Sequence, residues 1–183
     1  AITINSDQPF GFTQPVDGSE YDLVGGLEHE IDEVLGGGGG GSTLNSCEDN
    51  PFFCGKYGAL DLYRYSAPGT PSFTTDGGAA SYFSIDGGAT AIVAFNQDGT
   101  GDYGDFGPNC GTGNGGELIQ NAFNCKGPYE PYNESSLEYL MEQAIGWDPF
   151  PQAVPPAVPE PASAGLFGAA LLGLAAARRR PRR

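Results

Sequence analysis

The sequence predicts an α+β domain with few helices, short strands and long glycine-rich loops, followed by a C-terminal apolar helix. Glycine accounts for 30 of the 183 residues and proline for 15, a composition that favours loops over regular structure. Few stretches repeat apolar side chains at the spacing of a helix. Between the first two of these stretches, apolar and polar residues alternate over short runs, which is typical of strands buried on one face.

Apolar residues recur at spacings of three and four in two stretches of the main domain, residues 22–35 and 135–146. Both are predicted to be helices with one buried face. Ser19 or Asp22 can cap the first helix, and the glycine run 36–41 ends it. In the second, a serine followed three residues later by a glutamate has the spacing of a capping box.

Short strands are predicted between the two helices, over residues 60–65, 81–86 and 91–95. The Asp-Gly-Gly sequence at 86–88 predicts a hairpin turn between the last two strands. Residues 96–131 show almost no periodicity, so we expect an ordered loop there.

The charge of the chain is distributed unevenly. Residues 1–157 contain 22 acidic and three basic residues, a net charge of −19, whereas residues 158–183 contain five arginines and one acid, a net charge of +4. An acidic body repels phosphate backbones, which argues against nucleic acid as a partner. It suits instead divalent cations or basic partners outside the cell.

The four cysteines form two close pairs in the sequence, Cys47 with Cys54 and Cys110 with Cys125. Three connectivities exist, and the two local pairings cost the least loop-closure entropy. Neither spacing is that of a zinc-thiolate site. We interpret the pairs as disulfides rather than free buried thiols, which implies an oxidising compartment. Export would then require a leader upstream of Ala1.

The C-terminal region contains three elements in a fixed order. Pro159, Glu160 and Pro161 come first, the apolar stretch 162–177 follows, and an arginine cluster ends the chain. As a helix the 16-residue stretch is about 24 Å long, shorter than the roughly 30 Å hydrocarbon core. It spans a bilayer if the arginines snorkel, and those arginines would keep the C-terminus cytoplasmic. An ordinary short membrane anchor is the alternative interpretation.

This order of elements resembles the PEP-CTERM sorting signal of Gram-negative bacteria. The resemblance implies recognition by an exosortase, cleavage near Pro-Glu-Pro, and delivery to the cell envelope or extracellular matrix after transient anchoring in the inner membrane. The chain then divides into an extracellular domain (1–148), a proline-rich linker (149–157) and a sorting tail (158–183). The tail is an address and does not indicate a chemical activity.

The candidate chemical site lies in the first predicted helix, where residues 29–33 read His-Glu-Ile-Asp-Glu. His29 and Glu33 are four residues apart and share a helix face, so both can bind one metal ion. Glu30 follows the first ligand, as the general base does in H-E-x-x-H zinc peptidases. A solvated acidic face with a His29–Glu33 ion pair is the alternative.

Compared with the long pattern H-E-x-x-H-x-x-G-x-x-H, the chain keeps His29, Glu30 and Gly36. Glu33 replaces the second histidine, and Gly39 stands where the third ligand belongs. His29 is the only histidine in the sequence, so a third ligand must be a carboxylate, a tyrosine or a backbone oxygen from a distant loop.

Five segments of residues 1–148 resemble a PEP-CTERM-associated, metzincin-like metalloprotease family. They are 21–36 (YDLVGGLEHEIDEVLG), 61–69 (DLYRYSAPG), 81–88 (SYFSIDGG), 101–106 (GDYGDF) and 144–148 (AIGWD). The resemblance implies a zincin-like fold, a zinc cofactor and a peptide or protein substrate. It also implies a fragment or a shortened member, because the twisted sheet of a zincin would precede Ala1.

The leading hypothesis is therefore an exported zinc metallopeptidase or zincin-fold relative, with Glu30 as the base and with His29 and Glu33 as metal ligands. A non-catalytic matrix or biofilm protein on the same scaffold is the competing hypothesis. A calcium-stabilised adhesive or glycan-binding module is the third, because Asp98, Asp102 and Asp105 could supply oxygen ligands.

Overall fold

We analysed a computed structural model, which describes residues 2–44, 56–107, 110 and 117–148. The chain divides between Trp147 and Asp148 into two units, and every described residue except Asp148 belongs to the first. Within this part of the chain, no helix is both long and apolar enough to cross a membrane. Three predicted features lie outside the described residues: the Cys47–Cys54 disulfide, the linker 149–157 and the apolar helix 162–177.

The first predicted helix is present as α1, Leu23–Leu35. Asp22 caps it by accepting hydrogen bonds from the backbone N–H groups of Val24 and Gly25, which the first turn of a helix leaves without partners. Gly36 ends the helix with a left-handed φ of 99°, a conformation in which any Cβ would be strained.

The second predicted helix is present as α2, Leu137–Ile145. The predicted capping box is wrong, because Ser136 is the cap and accepts from the backbone N–H of Tyr139. Glu138 is fully buried and accepts a hydrogen bond from the backbone N–H of Gln120 instead. The side chain that was expected at the helix surface therefore links α2 to a distant loop.

The sheet is five-stranded and antiparallel in the order β4-β3-β5-β6-β7, and a separate two-stranded parallel pair joins β1 to β2. All strands are short, as the sequence predicted. Their bounds are Phe10–Gly11 (β1), Tyr21–Asp22 (β2), Arg64–Ala67 (β3), Thr70–Pro71 (β4), Tyr82–Phe83 (β5), Val93–Phe95 (β6) and Phe106–Gly107 (β7).

The prediction of a strand over residues 60–65 is wrong in its first half, since Leu60–Tyr63 form a 3-10 turn. Leu60 and Asp61 are both buried, so the alternation in sequence does not correspond to two faces of a strand. Asp61 accepts hydrogen bonds from Ser42 Oγ and from the N–H groups of Thr43 and Gly58. This buried acceptor, invisible in the local pattern, holds the turn in place.

The predicted pairing of the next two strands is confirmed, because β5 and β6 are antiparallel with Tyr82 opposite Ala94. The predicted loop 96–131 is less irregular than expected, since it contains β7. A disulfide joins Cys110 to Cys125, as the sequence predicted, with Cα atoms 5.4 Å apart.

One cluster of buried side chains forms the core between the sheet and α2. Arg64 is fully buried beside it, with its guanidinium 4.3 Å from the Phe95 ring centroid. Both its Nη atoms donate hydrogen bonds, to the Tyr103 carbonyl and to Gln97. The cluster residues are Leu60, Phe83, Phe95, Phe106 and Met141. This core places α2 and the segment after β6 against the glycine run that follows α1.

Candidate metal centre

Three potential metal ligands converge at one side of α1. His29 Nε2 lies 3.6 Å from Glu33 Oε1 and 3.8 Å from Asp105 Oδ2. One ligand atom from each residue lies within 4.8 Å of the other two, a spacing that allows one ion to contact all three. Two ligands come from α1 through the predicted i, i+4 spacing, and the third comes from the residue just before β7.

The other nitrogen of the imidazole sets the orientation of the ring. His29 Nδ1 lies 2.8 Å from the carbonyl oxygen of Ile119, so Nδ1–H donates to that carbonyl. In the neutral imidazole the lone pair is then on Nε2, the atom that faces the two carboxylates. A backbone carbonyl holding the second nitrogen is the usual support of a metal-binding histidine.

Asp105 is buried, and its two oxygens have different partners. Oδ1 accepts hydrogen bonds from the backbone N–H of Gly39, at 2.6 Å, and from Gln120 Nε2, at 2.9 Å. Oδ2 is the atom that faces His29. The carboxylate is therefore fixed by neutral donors while one oxygen stays directed at the candidate site.

The glycine run after α1 allows this close approach. A Cβ on Gly38 would lie 1.9 Å from Gln120 Nε2, and a Cβ on Gly39 would lie 2.6 Å from Glu33 Oε1. On the facing segment, a Cβ on Gly104 would lie 1.9 Å from the Gly38 carbonyl oxygen. The run is therefore a tightly packed connector, and side chains at these positions would occupy the space between the ligands.

The three groups alter one another's protonation. Burial acts to lower the pKa of His29, but the interactions with Glu33 and Asp105 outweigh it and raise the pKa to about 9. Burial raises the pKa of Asp105 to about 6, although the charge of His29 acts in the opposite direction. Without a metal, the site at neutral pH is an imidazolium held between carboxylates.

Glu30, the predicted base, does not belong to this group of three. It is exposed and lines a separate cavity of about 340 Å³ with Gly26 and Asn124. Consecutive residues on a helix point about 100° apart, so this side chain leaves α1 in a different direction from His29. The sequence placed the two residues next to each other, and the structure does not bring Glu30 into the ligand set.

Asp105 is the ligand that the sequence left unidentified. The signal for it was the acidic loop 98–105, which we had interpreted as a separate calcium site. In the structure Asp98 accepts hydrogen bonds from the N–H and hydroxyl of Thr100 and caps its own turn. Asp105 instead faces His29. Asp98 and Asp105 therefore have different partners although they belong to the same loop, and a calcium site in this loop stays a prediction.

The donor set fits zinc. One imidazole nitrogen and two carboxylate oxygens are ordinary zinc ligands, and a set of three leaves one tetrahedral position open. The imidazole is already oriented by Ile119, and the glycines keep the space between the ligands free of side chains. Among the described residues this is the group of three acids and histidines with the required spacing.

The tail defines the class of protein. Residues 157–180 match the family model of the PEP-CTERM protein-sorting motif, which includes the predicted Pro159-Glu160-Pro161 element. This motif indicates recognition of the tail by an exosortase and export through membrane processing to the cell surface. No curated protein and no solved structure matches the chain. The α+β class agrees with the structure, whereas the metalloprotease and zincin resemblance of residues 1–148 finds no support in these comparisons.

Proposed function

We propose that the exported domain is a zinc-dependent hydrolase of peptide bonds, with the metal held by His29, Glu33 and Asp105. The observation that carries the proposal is the convergence of these three ligand atoms within 4.8 Å of one another. Sequence spacing alone explains only His29 and Glu33. The fold brings a candidate third ligand, the second oxygen of the set, from a segment more than seventy residues away, and three protein ligands would leave the fourth zinc position open.

Each protein group has a separate task in the proposed reaction. Zinc bound here would supply Lewis acidity toward the scissile carbonyl and the attacking water. The Ile119 carbonyl keeps His29 Nε2 directed at the ion, and Gln120 and Gly39 keep one Asp105 oxygen directed at it. Glu30, whose side chain lines a separate cavity, would have to turn toward the ion to accept the proton of the attacking water at a carboxylate oxygen and deliver it to the leaving amine.

A non-catalytic surface protein is the second candidate, and two observations favour it. Glu30 lines a cavity separate from the three ligands. In the absence of metal, His29 is satisfied by two carboxylates and a carbonyl, which is a stable arrangement without any catalytic role. In that case the domain would serve the extracellular matrix as a structural or adhesive module.

We also propose a more specific destination for the protein than the sorting motif alone establishes. The arginine-rich end and the apolar stretch 162–177 favour transient anchoring in the inner membrane of a Gram-negative bacterium. Cleavage near Pro159–Pro161 would release the domain to the envelope or the extracellular matrix. The oxidised Cys110–Cys125 pair agrees with an oxidising destination.

The metal content of the full chain tests the proposal. We expect about one zinc per chain after equilibration and dialysis, and a loss of at least tenfold in zinc affinity for Asp105→Asn. Asp98→Asn is the matched control, because it removes one aspartate charge from the same loop but only a surface turn contact. Equal zinc binding by wild type and Asp105→Asn would overturn the assignment.

Peptide cleavage separates the two candidate functions. The hydrolase predicts cleavage of an unstructured protein substrate that a chelator abolishes and zinc restores. Glu30→Gln should lose cleavage by about 100-fold or more while keeping the metal. Zinc binding without cleavage in the wild type would leave the surface-protein candidate.

A further inference from the structure

A second group of acidic residues lies between α1 and α2, on the row of α1 that neighbours the metal ligands. Asp32 of α1 and Glu142 of α2 are only 3% and 2% exposed. The charge of Glu142 acts directly on Asp32, and the Tyr132 hydroxyl hydrogen-bonds Asp32. We call Glu28, Asp32, Glu138, Glu142 and Tyr132 the acidic cluster, because all four carboxylates act on the Tyr132 hydroxyl.

Three of the four carboxylate oxygens at the centre of the acidic cluster lack hydrogen-bond donors. Within the described part of the chain, Asp32 Oδ2 and both Glu142 oxygens are buried without any hydrogen-bond partner. Such oxygens carry the full cost of desolvation unless a proton or a cation compensates them. Two buried side chains from two helices, close enough for the charge of Glu142 to act on Asp32, therefore leave three oxygens without a hydrogen-bond partner.

No described basic side chain forms an ion pair with the central pair, although the charge of His29 acts to lower the pKa of Asp32. No ion pair reaches Asp32 or Glu142 from the residues that the structure describes. Arg64 is bound to the Tyr103 carbonyl and Gln97, and Lys126 lies over the Tyr21 ring. Because buried bare carboxylates cost stability, a proton or a cation from solution would compensate the pair.

The packing around the central pair is close, and a cavity reaches the edge of the acidic cluster. A Cβ on Gly37 would lie 2.2 Å from Glu142 Oε1 and 3.3 Å from the Asp32 carbonyl oxygen. The glycine therefore lets Glu142 reach the end of α1. Glu28 and Tyr132 also line a cavity of about 590 Å³, which gives solvent a route to the edge of the acidic cluster.

We infer that the acidic cluster binds one calcium ion, with Asp32 Oδ2 and the two Glu142 oxygens as its protein ligands. Oxygen-only donors select a hard cation, and water would complete the six to eight ligands that calcium takes. The ion would bridge α1 to α2 and so hold the helix that carries His29 and Glu33. This site uses no residue of the proposed zinc centre, so each can be present without the other.

Thermal unfolding of the full chain in chelator and in millimolar calcium tests the inference. We expect calcium to raise the wild-type unfolding temperature by about 5 °C at neutral pH. Asp32→Asn and Glu142→Gln should remove most of that rise, and in chelator they should unfold no earlier than wild type, because each removes an uncompensated buried charge. Glu134→Gln, an exposed glutamate near the start of α2, should keep the full rise.

Two further measurements make the result specific. Calorimetric titration of the wild type with calcium should show one site per chain, and Glu142→Gln should weaken it at least tenfold. Asp98→Asn should keep the calcium effect, because that exposed side chain hydrogen-bonds Thr100 in its own turn and is not a proposed ligand of this site. The inference is overturned if calcium leaves the wild type unchanged, or if Glu142→Gln responds as strongly as Glu134→Gln.

Discussion

Two neighbouring rows of α1 carry similar side chains and have opposite electrostatic surroundings. The row through His29 and Glu33 faces Asp105, and its imidazole lies between two carboxylates. The row through Glu28 and Asp32 faces Glu142, and its buried oxygens have no donor. The carboxylates that face the first row are offset by the charge of His29, whereas the buried carboxylates of the second row need a proton or a cation from solution.

The difference shows what one histidine contributes in a domain this acidic. Where an imidazole is present, its positive charge partly offsets the two carboxylates, and the set can exchange its proton for a metal ion. Where none is present, burial and the charge of Glu142 raise the pKa of Asp32 to about 7, and burial raises the pKa of Glu142 to about 7. We propose that the same helix supports a transition-metal centre on one row and a hard-cation site on the next.

Gly104→Ala should alter the row of His29 and Glu33 without altering the row of Glu28 and Asp32, and it is the change for which we expect the largest effect. The new Cβ would lie 1.9 Å from the Gly38 carbonyl oxygen, so the segment that carries Asp105 must move away from the glycine run. We expect a loss of about 1–3 kcal/mol in the free energy of unfolding and at least tenfold weaker zinc binding. Calcium binding should remain, because the acidic cluster does not touch this segment.

Gly18→Ala is the control for this change, since a Cβ there meets nothing within 4 Å. Chemical denaturation and metal titration of both variants measure the effect. If Gly104→Ala binds zinc as wild type does, the glycine contact does not position Asp105.

A change of pH should have an intermediate effect on stability, because Glu142 and His29 titrate in different pH ranges. Burial raises the folded-state pKa of Glu142 from 4.5 to about 7, so the stability from its retained proton is full below pH 4.5 and is lost as the pH rises through 7. The folded-state pKa of His29 is raised from 6.5 to about 9, so its contribution is full below pH 6.5 and is lost as the pH rises through 9.

The unfolding temperature of the metal-free chain should therefore fall continuously from pH 5 to pH 9. Glu142→Gln should flatten the fall mainly between pH 5 and 7, and His29→Ala mainly between pH 7 and 9. Identical profiles for the two variants would show that the rows titrate as one unit.

The smallest effect is expected at the start of α2, a helix that contributes none of the three proposed zinc ligands. Ser136→Ala removes the side chain that accepts from the N–H of Tyr139, and we expect a loss of about 1 kcal/mol in the free energy of unfolding. Zinc affinity should not change. Ser135→Ala is the matched control, because that exposed side chain contacts only Asn133. A larger loss for Ser135→Ala would restore the capping box that the sequence suggested.

The helices and the hairpin could be predicted because their signals are local. Apolar spacing and flanking capping residues gave α1 to within one residue, and the alternation with a glycine turn gave the β5–β6 pairing. The 3-10 turn at Leu60–Tyr63 could not be predicted in the same way. It depends on hydrogen bonds that Asp61 accepts from Ser42, which is distant in sequence, and from Gly58.

The candidate site was predictable only in part. The i, i+4 spacing of His29 and Glu33 is a property of any helix and needed no tertiary information. The choice of Asp105 over Asp98 or Asp102 depends on the Gly39 and Gln120 donors, which are distant from it in sequence. The position of Glu30 outside the group of three also depends on which row of α1 the fold buries.

By itself, the sequence determined the sorting tail, the α+β class, the positions of both helices and the pairing of two metal ligands on one face. Each of these follows from residue order over a few turns of chain. Only the tertiary structure decided the third ligand and the buried carboxylates around Asp32. The reason is physical: the charge state and the partners of a buried group depend on which segments pack around it.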